Sequence, residues 1–320
     1  MTPTPDRLRQ LGEPIVKEAF EDLFSSTIPS QKATRVLRKF SRWWTDYSRA
    51  ALMVLSCEAV GGDPAVVRHA AKALVLAGGA FDLHDDIIDR SFLRTEKRRK
   101  SIQARYGMEA TLLAGDALLI AGLIELTKVP EVNAERARRA VTAVQDGLFE
   151  LGSAEMEELR FVRNLSATPR SYLRIVRMKG ADAEAYTRVG AILGGGTEKE
   201  IQGLGDFGRY LGMICIVRDD IVDLFNDAVE CRSRLMKESL PLPLLYALGD
   251  SRTSTLLRSI WSRGEEKGPT EAQLEKLIGI IHENQGFEKG QAVIDGYIRK
   301  AKASLASIED PTPFLALFQK

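Results

Sequence analysis

Apolar residues recur every three to four positions along most of this chain, and that period decides what it can fold into. In V-I-D-G-Y-I-R-K-A-K-A-S-L, Val293, Tyr297, Ala301 and Leu305 stand four apart and share one helix face. Start signals precede several such runs. Asp63 before Pro64 reads as an N-cap with proline in the first turn, opening a helix through A-V-V-R-H-A-A-K-A-L-V-L. Thr168 before Pro169 opens S-Y-L-R-I-V-R-M-K. Thr197 with Glu200, and Thr270 with Gln273, have capping-box spacing. The connectors V-G-G-D-P, K-V-P-E-V and L-G-G-G-T are short and marked by glycine or proline. No convincing strand alternation, internal repeat or low-complexity linker interrupts the pattern. Several helices are apolar nearly all round, as expected at the centre of a large bundle. The expectation is a single all-α domain over residues 1–320, with roughly ten or more helices.

Composition excludes several function classes. Forty-five basic residues balance 44 acidic ones, which leaves no nucleic-acid footprint and no acidic tail. The three cysteines, Cys57, Cys215 and Cys231, are far apart and form no C-x-x-C. That argues against zinc and disulfides and for a reducing compartment, with Cys57 and Cys215 read as small core residues. M-T-P-T-P-D-R has no apolar signal region. The longest apolar stretch, A-T-L-L-A-G-D-A-L-L-I-A-G-L-I-E-L, is interrupted by Asp116, so no integral membrane segment is expected. A cytoplasmic protein is the expectation.

Against this background L-H-D-D-I-I-D-R stands out. Asp85, Asp86 and Asp89 close an apolar helix, although carboxylates are rarely buried without partners. I-V-R-D-D-I-V-D-L repeats the spacing with Asp219, Asp220 and Asp223. Residues i and i+4 lie one turn apart on one face, so two carboxylates of each set point together. Hard oxygen ligands of this kind suit Mg²⁺, which keeps waters and bridges to phosphates. A solvated helix end explains one such cluster. Two copies, each set in apolar sequence, favour a metal.

With L-A-G-D-A-L-L (113–119), Tyr106-Gly107, R-Y-L-G-M (209–213) and L-P-L-L-Y-A-L (242–248), the two motifs make the chain resemble the trans-prenyl diphosphate synthases, the farnesyl and geranylgeranyl diphosphate synthase family. The resemblance runs from about residue 40 to 310. It implies an all-α bundle around a deep central cavity, usually dimeric. It also implies an allylic prenyl diphosphate held through Mg²⁺ on the six aspartates, its ionisation, and attack on the cation by isopentenyl diphosphate. The physical logic is metal-assisted departure of a leaving group in a dry, apolar cavity. By the same resemblance Arg94 and Lys179 would bind diphosphate, although Gly180 replaces the threonine that usually follows the lysine. Phe81, four residues before Asp85, would floor the cavity and limit product length; ordinary core packing is the alternative.

The isopentenyl half departs from the family. W-T-D-Y-S-R-A (44–50) stands where G-G-K-R-x-R-P is expected, so Asp46 replaces a lysine and only Arg49 survives. Gly78 replaces a histidine, Thr95 an arginine and Ile216 a glutamine. Arg232, Arg234 and Lys237 could restore positive charge after the second motif, and Lys97, Arg98 or Arg99 near Thr95. Three functions follow as expectations. One is a prenyltransferase condensing an allylic diphosphate with isopentenyl diphosphate. Another is a terpene-synthase-like enzyme, or a prenyltransferase with another acceptor. The third is a partner-dependent subunit of a heteromeric synthase. A homodimer, or a heteromer with a related synthase subunit, is expected.

Overall fold

The computed structural model describes residues 5–90, 93–94, 99–129, 134–226, 228–265 and 267–318; for 5, 93–94, 99–100, 225–226 and 228–230 it describes the backbone alone. Its helices are α1 (Pro5–Ser25), α2 (Gln31–Ser41), α3 (Ser48–Ala59), α4 (Arg68–Ile88), α5 (Ile102–Tyr106), α6 (Met108–Leu126), α7 (Ala134–Glu158), α8 (Pro169–Lys179), α9 (Ala181–Gly194) and α10 (Glu198–Asn226). They continue with α11 (Ala228–Lys237), α12 (Leu242–Ala247), α13 (Ser251–Trp261), α14 (Glu271–Glu283), α15 (Gly286–Ser304) and α16 (Thr312–Leu315). The all-α reading therefore holds. One departure is a pair of two-residue strands, with Leu93 opposite Lys100 and Arg94 opposite Arg99.

The start signals act as their chemistry predicts. Asp63 accepts from the Ala65 N–H, although the first turn it caps, Pro64–Val67, is a 3₁₀ turn that leads into α4. Thr270 and Gln273 form a reciprocal capping box. Thr168 does so with Ser171, and Thr197 with Glu200.

The backbone divides into two units interleaved in sequence. The first comprises Met1–Gly147, Asp182–Gly208 and Lys302–Lys320, the second Leu148–Ala181 and Arg209–Ala301.

In the first unit α4 is buried from Ala70 to Ala80, which explains why it reads apolar on every side. Each fully buried Val or Leu there stabilises the fold by about 1.5–3 kcal/mol. Helix α6 packs closely along it, and a Cβ on Gly115 would lie 2.4 Å from His84 Nε2. A side chain at the glycine of L-A-G-D-A-L-L would displace the His84 imidazole, whereas at Gly122 of the same helix a Cβ would meet the Ala73 carbonyl at 2.7 Å. Like Glu125, Lys72, 1% exposed, is one of the charged residues buried in this core. Its ammonium donates to Asp22 at 2.6 Å and Glu18 at 3.1 Å, and lies 3.3 Å from Glu125. Phe314 anchors the C-terminal segment edge-on against Phe207, with ring centroids 5.1 Å apart.

In the second unit Trp261 Nε1 donates to Leu235 O at 2.8 Å, and Arg209 forks onto Glu150 at 2.7 and 2.8 Å. Cys57 and Cys231 are buried, but Cys215 is exposed, against the expectation that it packs in the core. On α10 the buried face passes through Met213, Ile214 and Val217, and Cys215 falls on the other side.

Candidate active site

The first aspartate motif closes α4. The Asp89 N–H still makes a helical bond to the Asp85 carbonyl at 2.9 Å, and the helix ends at Arg90, which adopts a left-handed conformation, φ 52°. Asp85 and Asp89 are half-buried, whereas Asp86 is 8% exposed. Phe81 lies half-buried one turn earlier on the same helix. The side chain of Arg94, expected to bind diphosphate, lies outside the described residues, as do the side chains of Thr95, Lys97, Arg98 and Arg99.

The same unit shows what became of the isopentenyl half. Asp46 Oδ1 accepts from the Ser48 N–H at 3.0 Å and the Ser48 hydroxyl at 2.6 Å, so the acid at the lysine position braces the start of α3. The surviving Arg49 is surrounded by carboxylates: Asp182 at 3.0 Å, Asp46 at 3.4 Å and Asp82 at 4.0 Å. Burial works against the Arg49 charge, but these carboxylates, Asp182 foremost, hold its pKa well above the usual value. Burial likewise pushes the Asp182 carboxyl up, and Arg49 offsets part of that shift. Trp44 Nε1 donates to Asp82 Oδ2 at 2.5 Å, fixing the third acid. At Gly78 a Cβ would lie 3.0 Å from Arg49 Nη1 and 3.2 Å from the Tyr186 hydroxyl. The space a histidine would need is taken by Arg49 and by Tyr186, whose hydroxyl donates to Leu74 O at 2.8 Å.

In the second unit Asp219, Asp220 and Asp223 lie near the C-terminal end of α10 and have different surroundings. Asp219 is exposed. Asp220 is fully buried, and Oδ1 accepts from the Tyr172 hydroxyl at 3.0 Å and from Arg234 Nη2. Its Oδ2 accepts from the Leu242 N–H at 3.0 Å. That donor is a backbone group in the first turn of α12, where N–H groups have no helical acceptor. Burial pushes the Asp220 carboxyl up to about 6, against the pull of Arg234 and the two hydrogen bonds. Arg234 also donates to Asp223 Oδ2 at 2.8 Å, so a single guanidinium bridges two carboxylates of the motif. Of the three cations considered after the motif, Arg234 is the one the described contacts place on these aspartates. Lys237 ends α11, half-buried. Lys179, expected on a diphosphate, pairs with Glu155 at 3.1 Å and with Glu158. At Gly180 a Cβ would lie 2.8 Å from Arg209 O, so the usual threonine would not fit without moving α8.

The donor chemistry allows a test of the expected Mg²⁺. Asp85 and Asp89, one turn apart with hard oxygens, fit it, and so does exposed Asp219. Asp220 is engaged internally: its oxygens accept from Tyr172, Arg234 and the Leu242 N–H, and the ligand role expected from sequence competes with those three donors. Asp223 commits one oxygen to Arg234. Among the described residues no group of three or more His, Cys, Asp or Glu side chains is arranged to hold a metal ion. Sequence reasoning missed Asp82, Asp182, Tyr172, Tyr186 and the Leu242 N–H, which bear on these sites through tertiary contact. Only Leu242 carried a local signal, its place beside Pro241 and Pro243 at a helix start.

The family profile for polyprenyl synthetase matches residues 45–280. The short chain isoprenyl diphosphate synthase of Methanothermobacter thermautotrophicus is 29% identical over 269 residues, covering 82% of this chain and 80% of that protein. Heptaprenyl diphosphate synthase component 2 of Bacillus subtilis is 29% identical over 247 residues, 76% of this chain and 67% of that protein. Geranylgeranyl pyrophosphate synthetase from Pyrococcus horikoshii superposes with a TM-score of 0.84 at 22% identity, covering 98% of this chain and 96% of that one. With the profile spanning well over half of its length, the chain belongs to the polyprenyl synthetase family.

Proposed function

We propose that this chain is a trans-prenyltransferase of isoprenoid biosynthesis, which ionises an allylic prenyl diphosphate and condenses the cation with isopentenyl diphosphate. The observation that carries this reading is the twice-repeated D-D-x-x-D at helix C-terminal ends, in a chain matched by the family profile across both copies. Mg²⁺, when bound, would supply the positive charge that draws off the diphosphate. Asp85, Asp86 and Asp89 in the first unit, and Asp219 with the second oxygen of Asp223 in the second, are the groups proposed as Mg²⁺ ligands. Asp220 fixes α12 and Arg234 against α10 and so sets the direction of the motif. Lys179 is a reserve cation, transferable from its glutamates to a more strongly charged diphosphate. We place the two units in one catalytic domain, and the protein in the cytoplasm. Among the described residues no helix is long and apolar enough to cross a membrane.

The test is incubation of the purified chain with Mg²⁺, labelled isopentenyl diphosphate and allylic diphosphates of graded length. Chain elongation by the protein alone supports the reading. Asp85→Asn and Asp219→Asn should each remove most of the turnover while leaving the circular dichroism spectrum unchanged; full turnover in both would overturn the site.

One observation favours a second reading. The ring of Asp182, Asp46 and Asp82 around Arg49 opposes a second diphosphate, which points to allylic ionisation with a different acceptor. Diphosphate release without incorporation of label would select it. For assembly, α6 presents Met108, Leu112, Leu113, Ile120, Leu123 and Ile124, each at least 47% exposed. An apolar face of this kind suits a subunit interface with a second copy or a related synthase subunit. A related protein named as component 2 of a heptaprenyl diphosphate synthase supports the heteromeric form. Leu113→Glu with Ile120→Glu should halve the mass measured by light scattering if the face is an interface.

A further inference from the structure

Helix α2, Q-K-A-T-R-V-L-R-K-F-S, contains no acidic residue, in a chain whose charges otherwise balance. Arg35, Arg38, Lys39 and Arg42 follow i, i+3, i+4, i+7 and so share one face. All four line an open cleft of about 300 Å³, together with Gln31, Thr34 and Tyr106 of α5. Among the described residues none of the four has a carboxylate partner.

Such an arrangement costs stability. Like charges three and four apart destabilise a helix by about 0.2–0.5 kcal/mol per pair. Favourable placement near the helix C-terminus accounts for Arg38 and Lys39, in the last turn, but not for Arg35. Aromatic rings hold part of the set in place: the Arg38 guanidinium lies 4.4 Å from the Phe24 ring centre and the Lys39 ammonium 4.6 Å from that of Trp43. Arg105 of α5 approaches the same Trp43 ring at 5.4 Å. The Tyr106 hydroxyl supplies a neutral group beside the charges, whereas the Thr34 hydroxyl donates to Ser30 O at 3.1 Å. Convergent, partly fixed guanidinium groups are the chemistry that recognises phosphate oxygens.

We propose that the α2–α5 cleft is a binding site for a phosphate-bearing anion, separate from the aspartate motifs and independent of divalent metal. The shared chemistry is the phosphate group, carried either by a free diphosphate or by an anionic phospholipid headgroup. Arg35 and Arg42 bind the anion directly, and Arg38 and Lys39 are held for it by Phe24 and Trp43.

The test uses the full chain in EDTA, which removes metal-dependent binding. Inorganic pyrophosphate is titrated calorimetrically, and in a second arm the chain is sedimented with phosphatidylglycerol or with phosphatidylcholine vesicles. The proposal expects binding of one pyrophosphate per chain, or sedimentation with phosphatidylglycerol alone, and the arm that responds names the source. Arg35→Gln with Arg42→Gln, both exposed, should weaken that binding at least tenfold, and Arg38→Gln at least threefold. Melting curves confirm that the variants fold. No binding in either arm, or binding undiminished in the folded double variant, would overturn the proposal.

Discussion

Asp46→Asn combined with Asp182→Asn should improve the binding of isopentenyl diphosphate. The structure sets three carboxylates against one guanidinium around Arg49, an excess of two negative charges at the place from which the family's cationic motif is missing. One unit charge facing one diphosphate charge at about 7 Å, in an effective dielectric of about 40, is worth about 1.2 kcal/mol. Two carboxylates facing a diphosphate of charge about −2 then oppose it by ~5 kcal/mol, which screening over a Debye length of about 8 Å reduces to ~2 kcal/mol. That corresponds to about 30-fold in affinity. Asparagine at 46 keeps the oxygen that accepts from Ser48, so the start of α3 is preserved. Losing the Arg49–Asp182 pair should lower stability, because Arg49 then keeps only the more distant Asp82 as a charged partner. The assay is calorimetric titration with isopentenyl diphosphate in EDTA, beside thermal melts of both proteins. Unchanged or weaker binding by a folded double variant would refute the electrostatic argument.

Arg234→Gln should destabilise the chain by about 3–5 kcal/mol, because it leaves Asp220 buried without its charge partner, and Arg234→Lys should recover part of this in urea titrations. Gly180→Thr should cost about 1–3 kcal/mol in the same measurement, since its Cβ would meet the Arg209 carbonyl. Burial pushes the Cys57 and Cys231 thiols up to about 11, so at pH 8 only exposed Cys215 should react with a thiol reagent in the folded state. Labelling of Cys57 or Cys231 at the rate of Cys215 would contradict that burial. Hydrogen bonds from Arg252 hold the Asp250 carboxyl well below the usual carboxylate range. Its contribution is therefore present above the unfolded pKa and lost as pH falls, and Asp250→Asn should flatten the acid side of a stability–pH profile.

The helices were legible because their signals are local. Asp63, Thr168 and Thr270 sit next to the N–H groups they cap. The aspartate motifs were legible because their spacing is a property of the helix. The environment of each aspartate was not, because the partners of Asp220 come from positions 172, 234 and 242 on three other helices. Lys72 shows the same limit: its spacing assigns it to a core face, but Glu18, Asp22 and Glu125 make that burial tolerable. Asp46 was legible as a lost cation, whereas its bond to Ser48 emerges only with the fold.

The Leu242 N–H that holds Asp220 belongs to the main chain and is therefore common to every residue type except proline. Substitution at position 242 can alter packing but leaves this donor intact, so the contact is insulated from most mutational drift. Two copies of this gene could diverge at position 242 and still orient Asp220 in the same way, whereas a change of backbone path at Pro241 or Pro243 would reach the motif with no change to any aspartate.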